Sequence, residues 1–226
     1  MFHSKKRLRE ESSEQDKNIY EIYWGYNNSF ETPLEKYFVY TIGNEIHFTT
    51  DINTVSIQEI IKQITILIQN HLHKNNIVDG NNTNYNNVDK LKIIYIVDSP
   101  GGSVISILKF VDFINIVKKK YPFVQFTSII TGLTASAGTI MAIVADKRYM
   151  TKNAHAMIHE LSSGNDGNYT KIMSHVKFLD ELHTKLVEIY ISKSFQTKKD
   201  IEKLLQNETW FNANKYLQYG FIDKIK

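Results

Sequence analysis

The sequence predicts an α/β protein with a mostly parallel sheet, and three observations carry that reading. Leu91–Val97 is an apolar, β-branched run, the mark of a strand covered on both faces. It ends at Asp98-Ser99-Pro100-Gly101-Gly102-Ser103, after which Val104, Ile107, Leu108, Val111, Ile114 and Val117 recur at helical spacing. The pattern then repeats: Val124–Ile130 reads as a strand, Gly132–Gly138 as a small-residue turn and Thr139–Ala145 as a helix. Strand, turn, helix, twice over, implies parallel strands joined by right-handed crossovers. Both turns then leave the C-terminal ends of their strands, the edge on which α/β proteins build their sites.

Taken in order, residues 1–30 are expected to form a poorly ordered tail, charged at first and carrying the basic cluster Lys5-Lys6-Arg7 with Arg9. Residues 31–226 are expected to be the folded domain. Tyr37–Ile42 and Glu45–Thr49 read as short strands around the turn pair Gly43-Asn44. Ser56-Ile57-Gln58-Glu59 has the form of a capping box opening a helix through Leu72. Asn75–Asn87 lacks apolar periodicity and reads as an inserted surface loop. The first crossover helix ends in Lys118-Lys119-Lys120, favourable at a helix C-terminus. Arg148–Met150 and Ala154–His159 read as short strands, and Ser162–Asn168 as a loop. A long amphipathic helix is expected over Tyr169–Ser194. Thr197 and Asp200 cap the next helix, and Gly220 terminates a short one begun at Ala213. Phe221-Ile222 begins a final strand.

Composition removes several function classes. There is no cysteine, hence no thiolate nucleophile, disulfide framework or cysteine metal site. A net charge of +3 is too small to argue for nucleic acid. No apolar run is long enough to span a membrane and the first residues carry no secretory signal, so a soluble, cytoplasmic protein is expected.

The chemistry concentrates at Ser136. A serine on a strand-to-helix turn exposes its hydroxyl beside backbone N–H groups suited to a developing oxyanion. The nucleophile-elbow pattern G-x-S-x-G is half met, by Gly138 but not by Thr134. A serine nucleophile needs a base, and His155 and His159, on one side of the following strand, are both candidates. Four residues along a strand, they stand about 13 Å apart, too far to share a zinc ion.

Four segments together resemble the proteolytic subunit (ClpP) family of Clp proteases. Ser99-Pro100-Gly101-Gly102-Ser103-Val104 is similar to its S-P-G-G-x-x turn, and Gly132–Gly138 to its G-x-A-A-S-M-G nucleophile turn. Met157-Ile158-His159 resembles its M-I-H-Q-P. Trp210-Phe211-Asn212-Ala213 through Tyr219-Gly220-Phe221-Ile222-Asp223 resembles its F-[FL]-[ST]-A-x-E-A-x-x-Y-G-[LI]-[IV]-D. The resemblance covers Tyr95–Ile225 and extends weakly back to about Glu35. It implies the ClpP/crotonase-like fold, with the helix from Tyr169 as a long handle. It implies Ser136 as nucleophile, His159 as general base and Glu208, where the family has Asp, as the acid. Gly102 and Ala137 match the oxyanion-hole donors, and Gly101, Ser103, Val104, Leu161 and Ser162 match the edges that pair with a bound peptide. The implied activity is serine endopeptidase cleavage of unfolded protein without cofactor or metal. The implied assembly is a homo-oligomeric ring, a heptamer or double heptamer, served by an AAA+ unfoldase. Departures from the pattern include Glu160-Leu161 for Gln-Pro and Asn207 for the arginine beside the acid. The Glu208 substitution and the lost arginine keep open an alternative, a catalytically silent ClpP-like subunit assembling with an active paralogue. A crotonase-type acyl-CoA enzyme shares the fold but works with glutamates rather than a serine–histidine pair.

Overall fold

Apolar β-branched runs at the centre of the chain build the sheet expected of them. A computed structural model describes residues 38–80, 84–85 and 88–226; the tail expected at 1–30 lies outside them. Strands β1 (Val39–Ile42) and β2 (Glu45–Phe48) form an antiparallel hairpin around Gly43, whose φ of +60° suits glycine. Next come helix α1 (Thr54–Lys74), β3 (Leu91–Ser99), α2 (Val104–Lys120), β4 (Val124–Ala135), α3 (Ala137–Ile143), β5 (Lys147–Met150) and β6 (His155–Ile158). Helices α4 (Tyr169–Lys193) and α5 (Lys198–Gln206), strand β7 (Thr209–Asn212), helix α6 (Ala213–Gln218) and strand β8 (Lys224–Ile225) follow, and these are the elements among the described residues. The sheet order is β1-β2-β3-β4-β5-β8, and β6 joins β4 to β7. Among the described residues only the β1–β2 and β6–β7 pairings are antiparallel, so the mostly parallel α/β expectation holds.

Helix α1 lays Ile57, Ile60, Ile64, Ile68 and Leu72 against the sheet, all buried. Burying each such side chain contributes about 1.5–3 kcal/mol. The helix starts earlier than its Ser56 box predicts. Asn53 is the N-cap, accepting from the N–H groups of Val55 and Ser56, and Ser56 answers as the third helical residue. Asn and Ser both cap well, and the box closes on the first of them. Thr197 and Asp200 do form the expected capping box of α5. At Gly220, φ +79°, the chain leaves α6 in a Schellman turn, with Phe221 N–H on Tyr216 O and Gly220 N–H on Leu217 O. The last strand begins at Lys224, two residues beyond Phe221-Ile222, which pack into the core.

The described part of the Asn-rich insertion is anchored. Asp79 accepts from Tyr121 Oη at 2.6 Å, from Lys120 Nζ at 2.9 Å and from Tyr85 Oη. Tyr85 in turn packs on the rings of Tyr121 and Phe123. Burial alone would raise the Asp79 pKa, but the hydrogen bonds of Tyr121, Tyr85 and Lys120 outweigh it and bring it down to about 2. Among the described residues no helix is long and apolar enough to cross a membrane.

Candidate active site

Strand β4 delivers the serine. It runs alongside β3 and β5 through Ile130; its register with β3 then shifts and resumes at Ser99 with Thr134, while β6 replaces β5 on the other side: Leu133 with His155, Thr134 with Ala156, Ala135 with Met157. The segment 132–135 is therefore strand rather than the turn predicted from its small residues, and the turn is confined to Ser136. Gly132, φ +51°, marks the change of partner; a Cβ there would stand 2.6 Å from the Asp98 carboxylate, which accepts the Leu133 N–H.

Ser136 has φ +52° and ψ −127°, a backbone that costs a non-glycine residue about 1–3 kcal/mol and gathers at functional sites. Its N–H is held by Met157 O at 2.8 Å, and its carbonyl accepts the N–H and the hydroxyl of Thr139. Serine in the N-cap position usually caps with its side chain. Here it makes no cap bond, and Oγ lies 2.8 Å from His159 Nε2. The hydroxyl is thus freed from helix capping and committed to the imidazole.

The glycine turn closes over this serine. Gly101 has φ +99°, and a Cβ there would stand 2.6 Å from Ser136 Cβ and 2.7 Å from Ala135 O. Gly102, φ +142°, lies against Ile52, whose carbonyl would be 2.3 Å from any Cβ. Ile52 bridges the turn: its N–H donates to Gly101 O and its carbonyl accepts from Ser103 N–H, both at 2.7 Å. Those two bonds leave the N–H of Gly102 out of the bridge. Ala137 opens α3, so its N–H has no partner inside the helix. Ser99 pins the turn from beneath, its buried hydroxyl donating to Thr50 O at 2.6 Å and accepting from Gly101 N–H.

His159 follows β6, whose partner β7 pairs Met157 with Trp210 and Ile158 with Thr209. His159 immediately follows β6 and Glu208 immediately precedes β7, so the two residues adjoin the Ile158–Thr209 pair at the same end of that pairing. The Glu208 carboxylate is exposed and accepts the Trp210 indole N–H at 3.4 Å; among the described residues no hydrogen bond joins it to His159. Its backbone φ is +44°. His155, the other candidate base, is exposed in β6 and pairs with Asn212.

Of the residues expected along a bound peptide, Ser103 caps α2, with Oγ accepting from Ser106 N–H and its own N–H on Ile52 O. Val104 begins that helix, half-buried. Leu161 and Ser162 follow the histidine, and among the described residues neither backbone makes a hydrogen bond to another backbone group. Ile52 and Asp98 also shape the site. No sequence signal marks Ile52, an ordinary apolar residue fifty positions before the glycine it braces, whereas Asp98 sits at a strand end beside the motif.

A mostly parallel α/β sheet carrying a histidine-paired serine on a strained strand-to-helix turn, with a glycine turn over it, has the geometry of a serine-hydrolase-type site. A model of the Clp protease family matches residues 42–226, and the chain belongs to that family. It is similar to ATP-dependent Clp protease proteolytic subunit 1 of Chlamydia trachomatis serovar D, 28% identical over 137 residues, 59% of this chain and 69% of that protein. The ATP-dependent Clp protease proteolytic subunit of Streptococcus suis is 37% identical over 142 residues, 61% of this chain and 70% of that protein.

Proposed function

We propose that the protein is a ClpP-like serine endopeptidase acting on unfolded polypeptide. The observation that carries the reading is the 2.8 Å contact between Ser136 Oγ and His159 Nε2 on a turn strained enough to free the hydroxyl. His159 Nε2 takes the Ser136 proton as Oγ attacks a peptide carbonyl. The Gly102 and Ala137 N–H groups receive the oxyanion, and the protonated imidazole then gives its proton to the leaving amine. Water hydrolyses the acyl-serine by the same route in reverse.

Glu208 is the acid of this reading, supported by its place next to Thr209, which pairs with Ile158 beside His159. The free backbone at Leu161 and Ser162 suits a peptide added as a β-strand. A ring of identical subunits, heptameric or doubly so, fed by an ATP-driven AAA+ unfoldase is a further proposal; the relatives' names, which describe proteolytic subunits of ATP-dependent proteases, support assembly and dependence on ATP. Residues 1–30 are proposed as a tail outside the protease domain.

A fluorophosphonate probe tests the core of this reading. The purified chain should label, and Ser136→Ala and His159→Ala should not. One observation favours the alternative of a silent subunit: the Glu208 carboxylate engages Trp210 rather than His159. Absence of labelling in the intact chain, alone and mixed with an active paralogue, would support that alternative.

A further inference from the structure

The peptide between Ser136 and Ala137 is one planar unit, so whatever holds the Ser136 carbonyl also sets where the Ala137 N–H points. That carbonyl accepts the Thr139 hydroxyl at 2.6 Å as well as the Thr139 N–H at 3.0 Å. Thr139 Oγ1 also lies 2.6 Å from Tyr190 Oη, on α4. A threonine hydroxyl has one hydrogen. A carbonyl can only accept, so that hydrogen goes to Ser136 O, and Tyr190 must be the donor to Thr139. The result is a directed relay, Tyr190 O–H to Thr139 O–H to Ser136 C=O. Both side chains are buried, Thr139 at 0% and Tyr190 at 3% exposure. Burial holds the Tyr190 phenol well above its ordinary pKa, an effect its bond to Thr139 only partly offsets, so it stays a donor through the working range.

We propose that Thr139 and Tyr190 are positioning residues whose buried hydroxyl relay fixes the Ser136–Ala137 peptide and thereby aims the Ala137 N–H at the developing oxyanion. The proposal rests on the serine-peptidase reading above. It also gives α4 a link to the site: the far end of the relay is built on that long helix. The sequence shows neither partner, because Thr139 reads as the start of a small helix and Tyr190 as one more apolar-face residue.

The test measures fluorophosphonate labelling of Ser136 in the full chain, together with kcat and KM on a short fluorogenic peptide. Outright loss of an oxyanion donor costs about 10²–10³ in turnover, so a misdirected donor should cost on the order of tenfold or more. Thr139→Val leaves Tyr190 Oη unpaired and risks folding; Thr139→Val with Tyr190→Phe removes both hydroxyls and keeps the shape. That double variant should slow labelling and kcat by on the order of tenfold with KM little changed, while Thr139→Ser should restore both. Wild-type labelling by a double variant that retains a cooperative thermal transition would overturn the proposal, as would Thr139→Ser labelling as slowly as Thr139→Val. Ser136→Ala separates the two levels. If it labels and turns over like the wild type, the serine reading fails and takes this inference with it. If it is inert while the double variant is fully active, only the inference fails.

Discussion

Glu208 stores strain where the proposed chemistry needs a carboxylate. Its φ of +44° costs a non-glycine residue about 1–2 kcal/mol, and the side chain reaches Trp210 rather than any buried partner. Glu208→Gly should therefore raise thermal stability, by about 1 kcal/mol, while lowering peptidase turnover. Glu208→Gln should fold as the wild type and lose turnover by up to ~10⁴ if the carboxylate orients His159 during reaction. Turnover near the wild type in Glu208→Gln, with Ser136→Ala inert, would leave a serine–histidine dyad. Gly101 makes the opposite argument, since a Cβ there would meet Ser136 Cβ at 2.6 Å. Gly101→Ala should abolish Ser136 labelling and lower the melting temperature, which calorimetry would register. Ser136 and both glycines were legible in the sequence because each place demands one residue type, whereas His159 was separated from His155 only by the family resemblance. The orientation of Glu208 was not legible, because it follows from a left-handed backbone that glutamate does not advertise.

Elements show why boundaries were harder to read than existence. Every strand–turn–helix unit expected from periodicity is present, yet β4 runs to Ala135, past Gly132 and the small residues that suggested a turn. What extends it is tertiary: β6 takes up the pairing that β5 gives up, and only the fold brings β6 there. The insertion carries a prediction of its own. The Asp79 pKa is depressed to about 2, so its bonds to Tyr121, Tyr85 and Lys120 contribute stability that is present above about pH 4 and lost as pH falls toward 2. The gap in thermal midpoint between wild type and Asp79→Asn should accordingly narrow over that window. A gap constant from pH 5 to pH 2.5 would show that the charge contributes nothing to the anchor.

The whole molecule is uneven in what it covers. Helix α4 buries nothing before Leu182, although Tyr169, Ile172, Met173 and Val176 make an apolar stripe, with Tyr169 78% exposed and Val176 42%. A stripe of that kind on a long helix calls for a partner surface, and self-association is the expected outcome. Sedimentation at micromolar concentration should give a mass above 26.3 kDa, and Val176→Glu should lower it. A monomer under both conditions would show that the stripe stays exposed in solution. The sequence made this helix visible through its period, but which of its turns lie bare depended on where the domain ends.

The anchored insertion has a practical consequence. It enters β3 at Leu91, while the glycine turn leaves the same strand after Ser99; nine residues of extended chain put about 26 Å between them. Changes of length there are felt at the opposite rim of the sheet from Ser136. A reporter peptide spliced between Gly80 and Asn84 would keep Asp79 and Tyr85 at its borders. It should provide a handle for purification or fluorescence that leaves serine labelling unchanged.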